Sequence, residues 1–312
     1  MVTLEDIRLA YERIRPHVHI TPVLTSQSIN RMVDANVYFK CENLQKVGAF
    51  KARGAVHAVM LLDNDTALRG VVTHSSGNHA QALAYAARLR GVPCTIVMPG
   101  NAPQVKQDAV REYGASIVLC EPTLASRLET MDGIVASTGA HPVPPYNDER
   151  VIAGQGTTAL EFLEQVEDID VIMAPVGGGG LMSGVATAAR ALLSDIEIIG
   201  AEPEIAADAQ LSLQTGVLQP PADALTIADG LRTGLGDKTL HHLQAADVQI
   251  LTASEDAIRE ATYRIMERLK VVIEPSAGVT LAVMLENPGR WSGKNVGIVL
   301  CGGNIDIRRL PI

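Results

Sequence analysis

The chain has 312 residues, enough for one large or two ordinary domains that each bury a core. Hydrophobic residues make up 47% and aromatics only 3%, the aliphatic bias of a parallel sheet of Val and Ile strands covered by Ala- and Leu-rich helices. A formal charge of −9 with no dense Lys/Arg cluster argues against a nucleic-acid partner, and Cys41, Cys94, Cys120 and Cys301 lie too far apart for a disulfide framework or a zinc site.

The opening Met1-Val2-Thr3-Leu4-Glu5-Asp6 is acidic and lacks a basic region before an apolar run, so no signal peptide is expected and a reducing cytoplasm fits best. Leu4, Ile7, Leu9 and Ile14 give a helix over residues 3–15. A turn at Thr21-Pro22 leads to the extended pieces Val23-Leu24 and Val37–Lys40, and Lys51 opens a helix through Ala55, Val56, Val59 and Met60. The chain then alternates. Strands at Gly70–His74, Cys94–Met98 and Ser116–Cys120 are each followed by a helix, at Ala80–Leu89, Pro103–Tyr113 and about Ser126–Ala136. This βαβαβα block is expected as a small domain, residues 70–147, with residues 1–69 and 148–312 forming the large one.

After Pro142, Pro144 and Pro145 the spacing predicts a helix at Thr157–Val166, a strand at Val171–Val176, a glycine loop and a helix at Leu181–Leu193. The uncharged run 171–189 is long enough to suggest a membrane span, but Pro175 and four consecutive glycines would break such a helix. A strand at Glu197–Ala201, a looser region through Pro220-Pro221 to Thr226–Gly230, helices at Ser254–Leu269 and Ser276–Leu285, and a strand at Asn295–Leu300 complete the chain.

Four stretches carry the chemistry. In Gln45–Ala55, Lys51 sits where an extended segment becomes a helix, beside an aromatic and among small residues; partial desolvation there would favour a neutral amine able to condense with a carbonyl. The plain alternative is a solvated surface lysine. The other three, His74–His79, Val176–Leu181 and Cys301–Asn304, all fall at carboxyl ends of predicted strands, where open α/β sheets bind ligands. Gly177, Gly178, Gly179 and Gly180 leave backbone N–H groups free to converge on an anion at a helix N-terminus, though a tight turn would account for one or two of them. Neither the P-loop nor the dinucleotide pattern is present. Ser75, Ser76, Asn78 and His79 crowd a strand-to-helix loop, which is also good N-cap chemistry. A reactive lysine, an anion cradle and hydroxyl- and amide-rich loops together describe an aldehyde-bearing phosphorylated cofactor, which pyridoxal 5'-phosphate fits.

These stretches resemble the serine/threonine dehydratase and serine racemase family of fold type II pyridoxal-phosphate enzymes, which includes a threo-3-hydroxyaspartate dehydratase branch, from Thr21-Pro22 to Gly302-Gly303-Asn304. The resemblance implies a tryptophan synthase β-like fold: two open, twisted, mostly parallel sheets with flanking helices. It implies that Lys51 carries the cofactor covalently, that Phe50 packs against the ring, that Gly177 to Gly180 hold the phosphate and that Asn78 bonds the ring's 3-oxygen. Cys301 would face the pyridine nitrogen, where the family usually has serine or another neutral residue; a neutral thiol cannot hold a proton on the ring as a carboxylate would. Ser75, Ser76 and His79 would line the substrate carboxylate pocket, with Ser76 across the cofactor plane from Lys51, and Arg127 matches an arginine that handles substrate in the racemase branch. Glu202, the carbonyl of Ala206 and Asp208 resemble the family's site for Mg²⁺, Mn²⁺ or Ca²⁺, against the plain reading of an acidic solvated loop.

The implied activity is dehydration of L-serine or L-threonine to a 2-keto acid and ammonia, with Lys51 removing the α-proton; Ser76 returning a proton to the other face would give racemisation. Ala49, where many dehydratases carry serine, resembles the 3-hydroxyaspartate branch, for which Arg127, His79 and Arg150 are candidate cations for the second carboxylate. A homodimer is the family's expectation. A non-catalytic cofactor-binding or sensor protein is the reading from another class; it predicts a cofactor spectrum without ammonia release.

Overall fold

The computed structural model describes residues 1–222 and 225–309. Its strands are β1 (Val23–Thr25), β2 (Asn36–Lys40), β3 (Val71–His74), β4 (Cys94–Pro99), β5 (Ser116–Cys120), β6 (His141–Pro142), β7 (Val171–Pro175), β8 (Glu197–Pro203), β9 (Gln249–Ala253) and β10 (Asn295–Val299). They form a six-stranded sheet, β1-β2-β10-β7-β8-β9, and a four-stranded one, β5-β4-β3-β6. Only β1 runs antiparallel, against β2; every other pairing in the two sheets is parallel. The expected pair of mostly parallel sheets with flanking helices is present.

Parallel sheets must be covered on both faces, and the central strands show it: all five residues of β7 are buried, as are four of the five in β10. The large core lies on the six-stranded sheet. A second core joins β3 and β4 to helix Asn78–Arg90 and helix Lys51–Met60, and reaches Ile14 and Val151, so helix Asn78–Arg90 links the small sheet to the lysine-bearing helix.

Glycines set the spacing of the helices that deliver the site. Helix Glu149–Gln165 lies between helix Lys51–Met60 and helix Gly180–Leu192. A Cβ at Gly154 would fall 2.6 Å from Gly54 Cα, and one at Gly184 only 2.4 Å from Gly156 N, so three helices approach backbone to backbone. The sequence spacing predicted this central helix only from Thr157, yet it starts at Glu149 with the Asp148 side chain capping Arg150 N. Gly154 and Gly156 lower helix propensity, and close packing overrides that preference.

A buried ionic cluster ties the same elements together. Arg53 donates Nε to Glu42 Oε2 at 2.8 Å and Nη2 to Glu161 Oε1 at 3.0 Å, while Lys40 Nζ donates to Glu161 and to the Thr21 carbonyl. Two cations face two anions, all fully or almost fully buried. Burial alone would raise the Glu42 carboxyl, but the charge and hydrogen bonds of Arg53 outweigh it and hold it below the usual range.

Elements absent from the sequence expectations include helices Gln27–Val33, Asn64–Leu68, Asp208–Thr215 and Asp237–Ala245 and the edge strands β6 and β9. They are short or peripheral, where hydrophobic periodicity is weak. The looser region expected before Thr226 falls partly outside the described residues. No helix among the described residues is long and apolar enough to cross a membrane, and residues 171–189 are strand, loop and helix.

Candidate active site

Lys51 begins its helix after an extended Ala49 and the N-cap Phe50, and the segment before it is zipped against the end of β10. Phe50 N donates to the Cys301 carbonyl at 3.0 Å, Gly303 N donates to the Gly48 carbonyl at 2.9 Å, and Ala49 and Gly302 form a bridge. Two of the four sequence stretches are thereby fused. Lys51 Nζ lies 5.0 Å from the Phe50 ring centroid and donates to the Pro145 carbonyl at 2.7 Å. Burial pushes its amine down to about 8, with Cys301 and Glu274 pulling weakly the other way.

The third stretch reaches the same place through Asn78. Its Nδ2 donates to both oxygens of Glu274, at 3.0 and 3.1 Å, and its Oδ1 accepts from Asn304 Nδ2 at 2.9 Å. Glu274 is buried and pushed up to about 7 by desolvation; Cys301 Sγ lies 4.0 Å from its Oε1. The Cys301 thiol is itself driven well above its ordinary value by burial and by Glu274, which makes it a neutral group at physiological pH. Sequence reasoning missed Glu274, whose signal was a carboxylate immediately before a proline at the first helical position.

Asn78 and His79 stand on the first turn of helix Asn78–Arg90 rather than in the preceding loop, and Gly77 caps that helix without a side chain. Capping therefore does not explain the serines. Ser75 Oγ accepts from Gly77 N, and Ser76 Oγ has no partner among the described residues. The His79 ring donates Nε2–H to the Val143 carbonyl at 2.9 Å, burial and the Lys51 charge push it down to about 3, and its buried Nδ1 is unpartnered. A neutral ring with only an acceptor free does not supply a cation. Arg150 is likewise committed, bridging Asp148 and His141. Arg127 differs: among the described residues its guanidinium makes no hydrogen bond or ion pair, its Nε is buried, and its charge is felt at His74, next to Ser75.

The fourth stretch is the loop Gly177–Gly180 after β7. Gly179 alone of the four has positive φ, +82°. Packing excludes a Cβ at all four: at Gly178 it would meet the Tyr146 ring at 2.3 Å, at Gly177 the Leu231 backbone at 2.9 Å, at Gly179 the Leu235 side chain at 2.6 Å and at Gly180 Tyr146 Cβ at 2.8 Å. Four glycines thus have a steric reason as well as an anion-binding one. Among the described residues the backbone N–H groups of 177–182 find no acceptor, and they crowd the positive end of helix Gly180–Leu192. Six unpaired donors at a helix N-terminus fit a phosphate. The Thr233 hydroxyl, which no sequence pattern marked, lies 3.2 Å from the position of a Gly177 Cβ.

Glu202 accepts from Ala209 N and Gln210 N at 2.9 and 3.0 Å, so it caps helix Asp208–Thr215, and burial pushes it up to about 8. Asp208 is also raised by burial and its Oδ2 is buried without a partner; Ala206 is buried in the intervening 3-10 turn. Among the described residues no three His, Cys, Asp or Glu side chains converge as a metal cluster.

Comparison with known proteins agrees with this geometry. The chain is 48% identical over 309 residues to the beta-hydroxyaspartate dehydratase of Paracoccus denitrificans (strain Pd 1222), covering 99% of this chain and 98% of that protein. It is also 48% identical over 310 residues to a serine racemase of Arabidopsis thaliana, covering 98% and 94%. The crystal structure of serine racemase from Dictyostelium discoideum superposes with a TM-score of 0.94 at 44% identity, covering 98% of this chain and 99% of that one. Residues 14–302 match the family described as "Pyridoxal-phosphate dependent enzyme", and with a desolvated lysine and a glycine loop of unpaired N–H groups the chain belongs to that family.

Proposed function

We propose that the protein is a pyridoxal-phosphate-dependent ammonia-lyase that dehydrates a small 3-hydroxy amino acid, L-serine or L-threonine, to a 2-keto acid and ammonia. The observation that carries this reading is the buried Lys51 amine, 2.7 Å from the Pro145 carbonyl and 5.0 Å from the Phe50 ring centroid, which burial pushes down to about 8. When bound, the cofactor supplies an aldehyde for a primary amine and a sink for the charge left when an α-proton departs. Lys51 would take that α-proton, a task that suits an amine near neutrality, and the β-hydroxyl would leave with a proton as water. Asn78 would donate to the ring's 3-oxygen, the N–H groups of Gly177 to Gly180 would hold the phosphate, Phe50 would pack on the ring and Cys301 would present a neutral thiol to the pyridine nitrogen. Ser75, Ser76 and the N-terminal turn at His79 receive the substrate carboxylate. The Ser76 hydroxyl, free of other partners among the described residues, supports a racemase side activity in which it would return a proton from the opposite face.

A second reading, 3-hydroxyaspartate to oxaloacetate and ammonia, is favoured by Arg127. It is the one of the three candidate cations with an uncommitted guanidinium among the described residues, and a buried Nε without a partner suits a second carboxylate. Ala49 and the Paracoccus relative support the same reading. Initial rates on L-serine, L-threonine and both 3-hydroxyaspartate diastereomers decide between the two. If Arg127 binds the second carboxylate, Arg127→Ala lowers kcat/KM for hydroxyaspartate by about 100-fold while changing serine less than about threefold. Equal losses on both substrates would remove Arg127 from that role, and no ammonia from any of them would leave a non-catalytic cofactor-binding protein.

The orphaned Asp208 Oδ2 and the raised Glu202 are what a divalent cation would relieve, so Glu202, the Ala206 carbonyl and Asp208 form the proposed Mg²⁺, Mn²⁺ or Ca²⁺ site. Residues 70–147 are proposed as the mobile small domain, closing on the large domain of 1–69 and 148–312. The active assembly is proposed to be a cytoplasmic homodimer.

A further inference from the structure

Asn304 ends the stretch Cys301-Gly302-Gly303-Asn304, and the reaction above makes no use of it. Its carboxamide nitrogen has two hydrogens, and both are committed: to the Val47 carbonyl at 2.7 Å and to Asn78 Oδ1 at 2.9 Å. Val47 is a β-branched residue at φ +56°, a conformation rare for its type, and Gly48 follows at +66°, where a Cβ would fall only 2.8 Å from Asn304 Oδ1. The Asn304 backbone N–H faces the Glu274 carboxylate. One residue therefore touches the strained turn that feeds Lys51, the amide of Asn78 and the acid that Asn78 bonds.

The two ends of an Asn carboxamide are alike in shape and opposite in chemistry. With Asn304 donating to Oδ1, Asn78 must turn Nδ2 towards Glu274, and near-equal distances of 3.0 and 3.1 Å are those of one N–H shared by both oxygens. The second Nδ2 hydrogen is left for another acceptor. Rotating the amide by half a turn would set Oδ1 against the Glu274 carboxylate and Nδ2 against Asn304 Nδ2, two repulsive contacts in place of two bonds.

We propose that Asn304 is a positioning residue of the active site, which fixes the end of the Asn78 amide that faces the cofactor and locks it to the turn before Lys51. This rests on Asn78 being the donor to the ring's 3-oxygen.

The test uses Asn304→Ser, the isosteric Asn304→Asp, Asn78→Ala and the double variant Asn78→Ala/Asn304→Ser. Two quantities are read besides activity: the dissociation constant of the cofactor from reconstituted protein, and the pH midpoint of its visible absorption band. Asn304→Ser is expected to weaken cofactor binding about tenfold. It should also raise the midpoint by about one pH unit, since an ionised oxygen that loses a donor is disfavoured. Asn304→Asp has no side-chain hydrogens to give and should act at least as strongly, which keeps the test available if the serine variant does not fold. In the Asn78→Ala background, Asn304→Ser should add less than about threefold, because it acts through the missing amide. Losses that multiply in the double variant, with an unmoved midpoint in the single ones, would overturn the proposal. A wild-type protein with no absorption band would instead overturn the cofactor reading beneath it.

Discussion

Lys51 was legible as a residue but its state was not. The sequence places it beside Phe50 among small neighbours, and nothing local says whether its amine is dry. Burial among residues distant in the chain decides that, with the amine bonded to the carbonyl of Pro145, 94 positions away, and it outweighs the opposing pull of Cys301 and Glu274. A measurable consequence follows from the sign. The neutral amine is the nucleophile, so the rate at which cofactor-free protein captures the cofactor should rise with pH and level off above about 8 instead of climbing towards 10.5. Stopped-flow absorbance measures it, and a midpoint above 10 would show the amine to be solvated. Linkage runs the same way: between about 8 and 10.5 the unfolded chain binds more protons at this site than the folded one, so its contribution to stability improves with rising pH across that window. His79 shows the opposite outcome, a residue marked by its position whose ring proves neutral and committed to Val143.

Among the elements, the glycine loop was read for its place between strand and helix, and the structure adds a steric reason that no pattern contains. Gly178 is pressed against the Tyr146 ring, so Gly178→Ala must displace either the ring or the loop. Overpacking of this kind costs about 1–3 kcal/mol. Because the loop would move with it, cofactor affinity should fall at least about tenfold, and a cofactor titration with a thermal melt of the cofactor-free protein would register both effects. Unchanged affinity would detach this loop from the cofactor. Helix Glu149–Gln165 carries the same lesson: its early glycines read as breakers, but they are where neighbouring helices touch its backbone.

Across the whole molecule, the helix that bears Lys51 is anchored by Arg53 in its cluster with Glu42, Glu161 and Lys40, which draws together β2, helix Lys51–Met60 and helix Glu149–Gln165. Removing one partner from such a buried set leaves uncompensated charge. Arg53→Ala should cost about 3–5 kcal/mol, read from denaturant unfolding of the cofactor-free protein. A loss below about 1 kcal/mol would mean that the carboxylates rehydrate or become protonated at little cost.

What the sequence determined by itself is set by short-range chemistry: the aliphatic alternation that makes parallel sheets, the strand ends that gather Ser75, Asn78, Gly177 and Cys301, and the resemblance that links them to a cofactor. Tertiary structure alone decided the rest. Desolvation of Lys51, the pairing of Asn78 with Glu274 and Asn304 and the crowding of Tyr146 on the glycine loop all join residues distant in the chain. Dielectric environment, hydrogen-bond orientation and steric exclusion are properties of neighbours in space, which local patterns of residue type do not encode.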